Sequence, residues 1–400
     1  MDTSVDTRSR GTIPVPLLLV LALLASVAPF GIDLYLAAFP RMAVDLETSD
    51  TAIQLTLTTF LLGLAAGQLI FGPLSDRWGR RGPLLAGSAV FVAASLLAAF
   101  APTIAVLLAA RLLQGLSAAA GMVIGRAVIA DLATGRAAAR AFSLMMIVGG
   151  VAPVVAPLLG SLLVDAIHWR GILGVLVGLA VAMLAGSAAM VRESLPRERR
   201  GASGKGGFRA LRSRAYLSPT ATLVFSFGVL MAYISASPFL YQSVIGMSAV
   251  GYGLMFALNA LGLVLSSAAA SRLLHRAEPR RVLTGGVVWL VVASAVLLAM
   301  ALLPVGVALL PVPIFFAVSA LGFILGPATA IALDAVPGAA GTGSAVLGAT
   351  QFGLAAVVSP LVSVGDGHSA VPMAITIAVL AVLAVIAAIP CLNTMEKVKK

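Results

Sequence analysis

The chain has 400 residues, of which 60% are apolar and only 10% charged, with a mean hydropathy of +1.08. A soluble protein carries about 25% charge, so a soluble enzyme and a disordered chain are both excluded. The single cysteine, Cys391, excludes a disulfide framework and a cysteine-based metal site.

Charge-free runs mark the spans in chain order: 11–32, 51–75, 82–110, 141–164, 171–191, 215–271, 282–333, 335–365 and 367–395. A bilayer takes about 20 helical residues, so 215–271 and 282–333 each hold two spans, divided at Pro238–Gly246 and Pro304–Pro313. One further span, interrupted by Arg111, ends at Arg126. Twelve spans are predicted: 16–39, 51–72, 83–101, 104–126, 140–163, 170–191, 217–239, 249–271, 282–303, 312–333, 341–364 and 371–391. The first resembles a signal peptide in its Arg8 and Arg10 and in Ala-Ser-Val-Ala at 25–28, but the spans that follow and the polar Asp33 make it a retained helix.

Arginine and lysine set the orientation. They fall at Arg8 and Arg10, in the loops after spans 2, 4 and 8, in 192–216 and at Lys397, Lys399 and Lys400. All of these lie on one side, against Arg41 and Arg170 on the other. The expectation is a multi-pass membrane protein with both termini cytoplasmic. The net charge of +11 is then topological, and a nucleic-acid partner is not expected. The chain divides into a cytoplasmic N-terminus (1–15), a six-helix bundle (16–191), a basic linker (192–216), a second bundle (217–391) and a tail (392–400). The halves echo each other: Leu74, Arg80 and Arg81 recur 200 residues later as Leu274, Arg280 and Arg281, and Pro157 matches Pro360 at 203. Duplicated halves build many secondary transporters. The fold class is all-α, twelve transmembrane helices in two six-helix halves.

An ionisable group in hydrocarbon costs roughly 2.5–3.5 kcal/mol, so Asp33, Arg111 and Arg126 each need a reason. Asp33, in the outer half of span 1, can exchange a proton when a cavity opens or hold a cationic substrate; the alternative is a carboxyl fixed by a neighbouring helix or placed near the outer interface. Arg111 stays charged, and structural and coupling roles are both open to it. Arg126 near the cytoplasmic end can snorkel. His168, His275 and His368 fall in loops, which leaves no mid-membrane imidazole relay. No Walker motif, HExxH or catalytic triad is present, so neither an ATP-driven pump nor an enzyme is expected, and no cofactor or metal is implied. Tyr35, Gln54, Thr58, Gln114, Tyr233, Ser235, Ser237, Phe239, Tyr241, Gln242, Asn259 and Gln351 are cavity candidates, each with helix–helix hydrogen bonding or packing as its alternative.

Gly72-Pro73-Leu74-Ser75-Asp76-Arg77-Trp78-Gly79-Arg80-Arg81 between spans 2 and 3 resembles the signature of the major facilitator superfamily. With Gln54-Leu55-Thr56-Leu57-Thr58 and Gly67-Gln68 before it, the chain is similar to the Bcr/CflA branch of drug:proton antiporters, near the amphenicol exporters. Ile32-Asp33-Leu34-Tyr35-Leu36, Arg111-Leu112-Leu113-Gln114-Gly115, Ser235-Ala236-Ser237-Pro238-Phe239 and Phe256-Ala257-Leu258-Asn259 extend the resemblance over about 16–391.

The resemblance implies proton-coupled drug efflux by alternating access, with Asp33 and Arg111 in coupling. It also implies a latch of Gly72, Asp76, Arg77, Gly79, Arg80 and Arg81 with Asp131 and the start of span 11. Two positions depart from the family pattern. The antiporter motif around Ala156, Pro157 and Gly160 has alanine and serine where glycines are expected, and Ala130 stands where an arginine is common. The expected partners are a small drug, protons and the bilayer, with the protein a monomer and a neutral chloramphenicol-like substrate favoured over a dication. The alternative is a proton-coupled transporter of a small metabolite or sugar. A receptor or scaffold would need no buried carboxyl.

Overall fold

The computed structural model describes residues 13–133, 135–200, 210–303, 306–336, 340–362 and 369–393. Most of the N-terminus, the middle of the linker, the approach to span 11 and the tail therefore lie outside the described residues. Those described form thirteen α-helices: α1 (Val15–Asp33), α2 (Phe39–Asp45), α3 (Asp50–Trp78), α4 (Arg81–Ala99), α5 (Ile104–Leu132), α6 (Gly135–Met190), α7 (Arg214–Phe239), α8 (Ala249–Leu273), α9 (Pro279–Leu302), α10 (Pro311–Ala320), α11 (Leu325–Asp334), α12 (Ala340–Leu361) and α13 (Val371–Asn393).

Helix starts follow the sequence. Ser49, Thr103, Ser213 and Ser248 each accept a backbone N–H three residues on, satisfying one of the donors that a helix start leaves free. Eleven helical stretches are long and apolar enough to cross a bilayer. At 1.5 Å per residue, the 56 residues of α6 would run about 84 Å, far more than the roughly 30 Å of a hydrocarbon core. The backbone breaks at His168 (φ 56°, ψ 174°), so α6 crosses twice and the passes among the described residues number twelve, the number the charge-free runs predict.

Span 1 differs from its prediction. It is not one helix over 16–39. α1 stops at Asp33, a 3₁₀ turn covers Leu36–Ala38, and α2 carries the chain on with Pro40 in its first turn. Span 7 ends in a π-helical turn over Leu240–Val244, and span 10 is split between α10 and α11 by a 3₁₀ turn at Leu321–Phe323.

In the first half, α3 and α5 touch backbone to backbone: a Cβ on Gly115 would lie 1.9 Å from the Phe60 carbonyl oxygen. In the second half, α8 meets span 10 in the same way, where a Cβ on Gly322 would lie 2.1 Å from Ser266 Oγ and 2.5 Å from Ser267 N. Small residues permit such approach where lipid supplies no hydrophobic drive. The halves meet along α3 with α12 and along α6 with α8. Hydrogen bonds close the seam at the end away from the arginine-rich loops. Ser235 Oγ reaches Gln54 Oε1 at 3.5 Å, Ser359 Oγ the Gln54 carbonyl at 3.4 Å, and Gln242 Nε2 the Ala37 carbonyl at 3.2 Å.

Candidate functional site

The end of α1 organises the centre. A helix C-terminus leaves carbonyls without partners and carries partial negative charge. Arg111, fully buried on α5, answers both: its Nη2 donates to the Gly31 carbonyl at 2.7 Å. The guanidinium lies between two rings, 4.4 Å from the Tyr35 centroid and 4.3 Å from that of Phe60, the geometry of a cation–π contact. Its Nη1 donates to Gln114 Oε1 (2.9 Å), Gln114 Nε2 to Ser95 Oγ (2.8 Å), and Ser95 Oγ to the Phe91 carbonyl (2.7 Å). Tyr35 Oη pairs with Thr56 Oγ1 at 2.9 Å.

Asp33 takes no part in this chain. It is 3% exposed, its Oδ1 has no hydrogen-bond partner, and among the described residues it makes no ion pair. Arg111 therefore does not offset Asp33 directly; it holds the backbone two residues away.

The second half meets it with an uncharged cluster. Asn259 Nδ2 lies 3.0 Å from Tyr233 Oη, 3.4 Å from Tyr241 Oη and 3.0 Å from the Met255 carbonyl. Phe256 packs 5.5 Å from Tyr233 and 6.0 Å from Tyr252, and Tyr241 lies 6.2 Å from Tyr252. Asn259 Oδ1 and Tyr252 Oη are buried without partners, as is Thr58 Oγ1 of the first half. Phe239 reaches across to Phe39 at 6.0 Å.

The other expected cavity residues divide. Gln54 sits in the closed seam, Gln114 is spent on Arg111 and Ser95, and Ser237 bonds the Ile234 carbonyl of its own helix. Gln351 is half-buried on α12. Arg126 donates to the Met122 carbonyl one turn back. Gly160 packs against the site from α6, since a Cβ there would lie 1.8 Å from the Leu34 carbonyl oxygen. Ala156 and Pro157 are buried one turn before it.

On the arginine-rich side, Arg80 gathers the acids. Its Nη1 bonds Asp76 (2.6 Å) and Ser75 Oγ (2.9 Å), and its Nε bonds Asp131 (3.0 Å). Arg77 points outward, exposed, and Gly72 accepts the Ser75 hydroxyl at 3.0 Å. These contacts lie within the first half; 337–339, just before span 11, are outside the described residues, and in the first turn of α12 the Gly343 carbonyl accepts the Tyr216 hydroxyl at 2.7 Å. Three residues just after span 6 complete the cluster. Glu193 accepts the N–H groups of Arg80 (2.8 Å), Arg81 (3.4 Å) and Leu195 (3.0 Å) and pairs with Arg200 at 3.5 Å, while Ser194 Oγ donates to Asp131 (2.9 Å). Gly79 is required here twice over. Its φ is +93°, and a Cβ would lie 2.3 Å from Glu193 Oε2. Burial alone would push the Glu193 carboxyl up, but the three N–H groups and the Arg200 guanidinium together hold it below the usual glutamate range.

Sequence reasoning missed Glu193, Ser194 and Arg200, although an acid at the end of a span facing Arg80-Arg81 was a visible signal. It also missed Thr56, Phe60 and Ser95 around Arg111, and Tyr252, a tyrosine one turn before Phe256.

A family model described as Major Facilitator Superfamily matches residues 21–360. The chain is 37% identical over 361 residues to the uncharacterized MFS-type transporter YdgK of Bacillus subtilis, covering 88% of this chain and 90% of that one. It is 29% identical to a bicyclomycin resistance protein homolog of Haemophilus influenzae, over 90% and 92% of the two chains. With the multidrug resistance protein MdtL of Shigella flexneri it shares 32% identity, over 58% and 60%. Among solved structures, a D-xylose-proton symporter superposes with a TM-score of 0.72 at 14% identity, over 94% of this chain and 96% of that one.

Proposed function

Since the chain belongs to the major facilitator superfamily, a family of transporters rather than enzymes, we propose that it is a proton-coupled drug exporter of the Bcr/CflA type. It works by alternating access in a bacterial inner membrane, with both termini cytoplasmic. Relatives named for bicyclomycin and multidrug resistance support export of drugs. The observation that carries proton coupling is Asp33. Among the described residues it is the one buried carboxyl, it has an unpartnered oxygen, and it lies just before the Leu36–Ala38 turn, which touches α7 and α8 of the second half. Intramembrane acids of this kind mark ion pathways.

In this reading Asp33 takes a proton from the outside and releases it inward, and drug occupies the space between Asp33 and the tyrosine cluster in the other half of the cycle. Arg111 keeps the end of α1 in place without competing for the proton. The Asp76–Arg80–Asp131 cluster acts as the latch of the inner face. The unpartnered oxygens of Tyr252, Asn259 and Thr58 suit a small neutral drug carrying hydroxyl and amide groups, because pockets orient ligands with a few polar contacts. A chloramphenicol-like molecule fits this chemistry. A dication would leave one charge unpaired at a desolvation cost.

Everted vesicles test the reading. Chloramphenicol should release protons from energised vesicles carrying the wild-type chain. Asp33→Asn, nearly the same shape, should insert equally and release none. Uphill accumulation of drug by that variant would refute the assignment, and protection of a drug-sensitive host against dications alone would refute the substrate.

A further inference from the structure

A groove of about 850 Å³ lies on the arginine-rich side, outside the central site, lined among others by Trp78, Arg81, Leu85, Glu193, Arg197 and Arg200. Its walls are the end of α3, the start of α4 and the chain that leaves α6. Three guanidiniums face one carboxylate there, and Glu193 is already engaged by the Arg80, Arg81 and Leu195 N–H groups and by Arg200. Arg197 is exposed and makes no ion pair among the described residues. The groove thus carries positive charge in search of an anion.

Its other half is apolar. Trp78 is 67% exposed at the last turn of α3, where the helix leaves the bilayer. Leu85 lines the groove, and the outward face of α4 continues below it through Ala86, Ala89 and Val90, all exposed. Tryptophan favours the headgroup level. Basic pockets beside spans on this side of a membrane suit acidic headgroups.

We propose that the groove seats the headgroup of an anionic phospholipid from the adjacent leaflet, its phosphate on Arg81, Arg197 and Arg200 and its chains along Leu85 and Val90. An amphiphile is the occupant because cation and lipid-facing wall are continuous; a soluble anion would use the arginines and leave Trp78 and Leu85 wet. In the second half the corresponding loop holds exposed Arg272 and Arg276 and an Arg281–Glu278 pair at 4.0 Å with both partners in solvent.

The full chain in nanodiscs, titrated with brominated phosphatidylglycerol or brominated phosphatidylcholine, tests this through tryptophan quenching, with Trp78→Phe defining the Trp78 signal. Phosphatidylglycerol should quench Trp78 at a lower mole fraction than phosphatidylcholine. Arg197→Gln, a change at an exposed side chain that leaves the fold intact, should weaken that preference about fivefold, and adding Arg81→Gln should weaken it further. Arg276→Gln should change nothing. Equal quenching by the two lipids, an unaltered preference in Arg197→Gln, or displacement by inorganic phosphate alone would each overturn the proposal.

Discussion

The two halves share a scaffold and differ in chemistry. Both press their second and fourth spans together through glycine, at Gly115 in one and Gly322 in the other. Yet the first half holds Asp33, Arg111 and the Arg80 cluster, whereas the second answers with Tyr233, Tyr241, Tyr252 and Asn259, all uncharged. Span 10, which stands where span 4 stands, has no arginine and is interrupted by a 3₁₀ turn instead. Duplication fixes where helices can approach; it does not fix which half carries charge. In the proposed reading proton handling falls to the first half and drug selection to the second, a division that mutations can break.

The largest effect is expected at Arg111. Arg111→Lys keeps the charge, but a compact ammonium cannot lie flat between Tyr35 and Phe60 while reaching both Gly31 O and Gln114 Oε1. Losing hydrogen bonds from a charged donor costs about 1.5–3 kcal/mol each. Thermal unfolding in detergent should fall accordingly, and proton-driven export should drop below detection. Full export by Arg111→Lys would show that coupling does not depend on the planar fork.

How much of this was legible beforehand varies along the chain. The spans were, because charge is excluded from hydrocarbon and its absence shows directly in the sequence. The break after Asp33 was not: Leu34-Tyr35-Leu36-Ala37-Ala38 reads as continuous helix, and what stabilises the interruption is a guanidinium 80 residues away in sequence. Asp33 and Arg111 were picked out as isolated charges, but their separation was invisible, since an acid and a base in one bundle invite pairing. Glu193 escaped notice because, in a basic linker, one acid looks like a solvated counter-charge; only the fold brings it to the Arg80 and Arg81 N–H groups.

Next in size, Gly115→Ala and Gly322→Ala test whether the shared scaffold is equally tight in both halves. Each Cβ would collide with groups of the neighbouring helix, and overpacking costs about 1–3 kcal/mol. Similar losses of thermal stability would support equivalence; a loss in one half alone would limit the likeness to geometry.

Asn259→Ala addresses selection. It removes the amide that joins Tyr233 and Tyr241 but leaves Asp33 untouched. Losing a net contact of about 1 kcal/mol should raise the KM for drug about fivefold, while the number of protons exchanged per drug stays constant. A changed proton-to-drug ratio would place coupling in both halves.

The smallest effect concerns the basic side, where Glu193 ties the departing chain to the first half. Its carboxyl is held below the usual glutamate range: burial works against this, and the N–H groups of Arg80, Leu195 and Arg81 with Arg200 outweigh it. A group depressed in the folded state stabilises it above the unfolded value, about 4.3, and loses that contribution as pH falls through the lower folded value. The side chain is a third exposed, so solvent screening limits the contribution to about 0.5 kcal/mol. Glu193→Gln should therefore unfold slightly earlier than wild type at pH 7, and the two melting curves should converge as pH falls below 4. A difference that persisted unchanged to pH 3 would mean that the contribution of Glu193 is steric packing around Gly79 rather than charge on the α4 N-terminus.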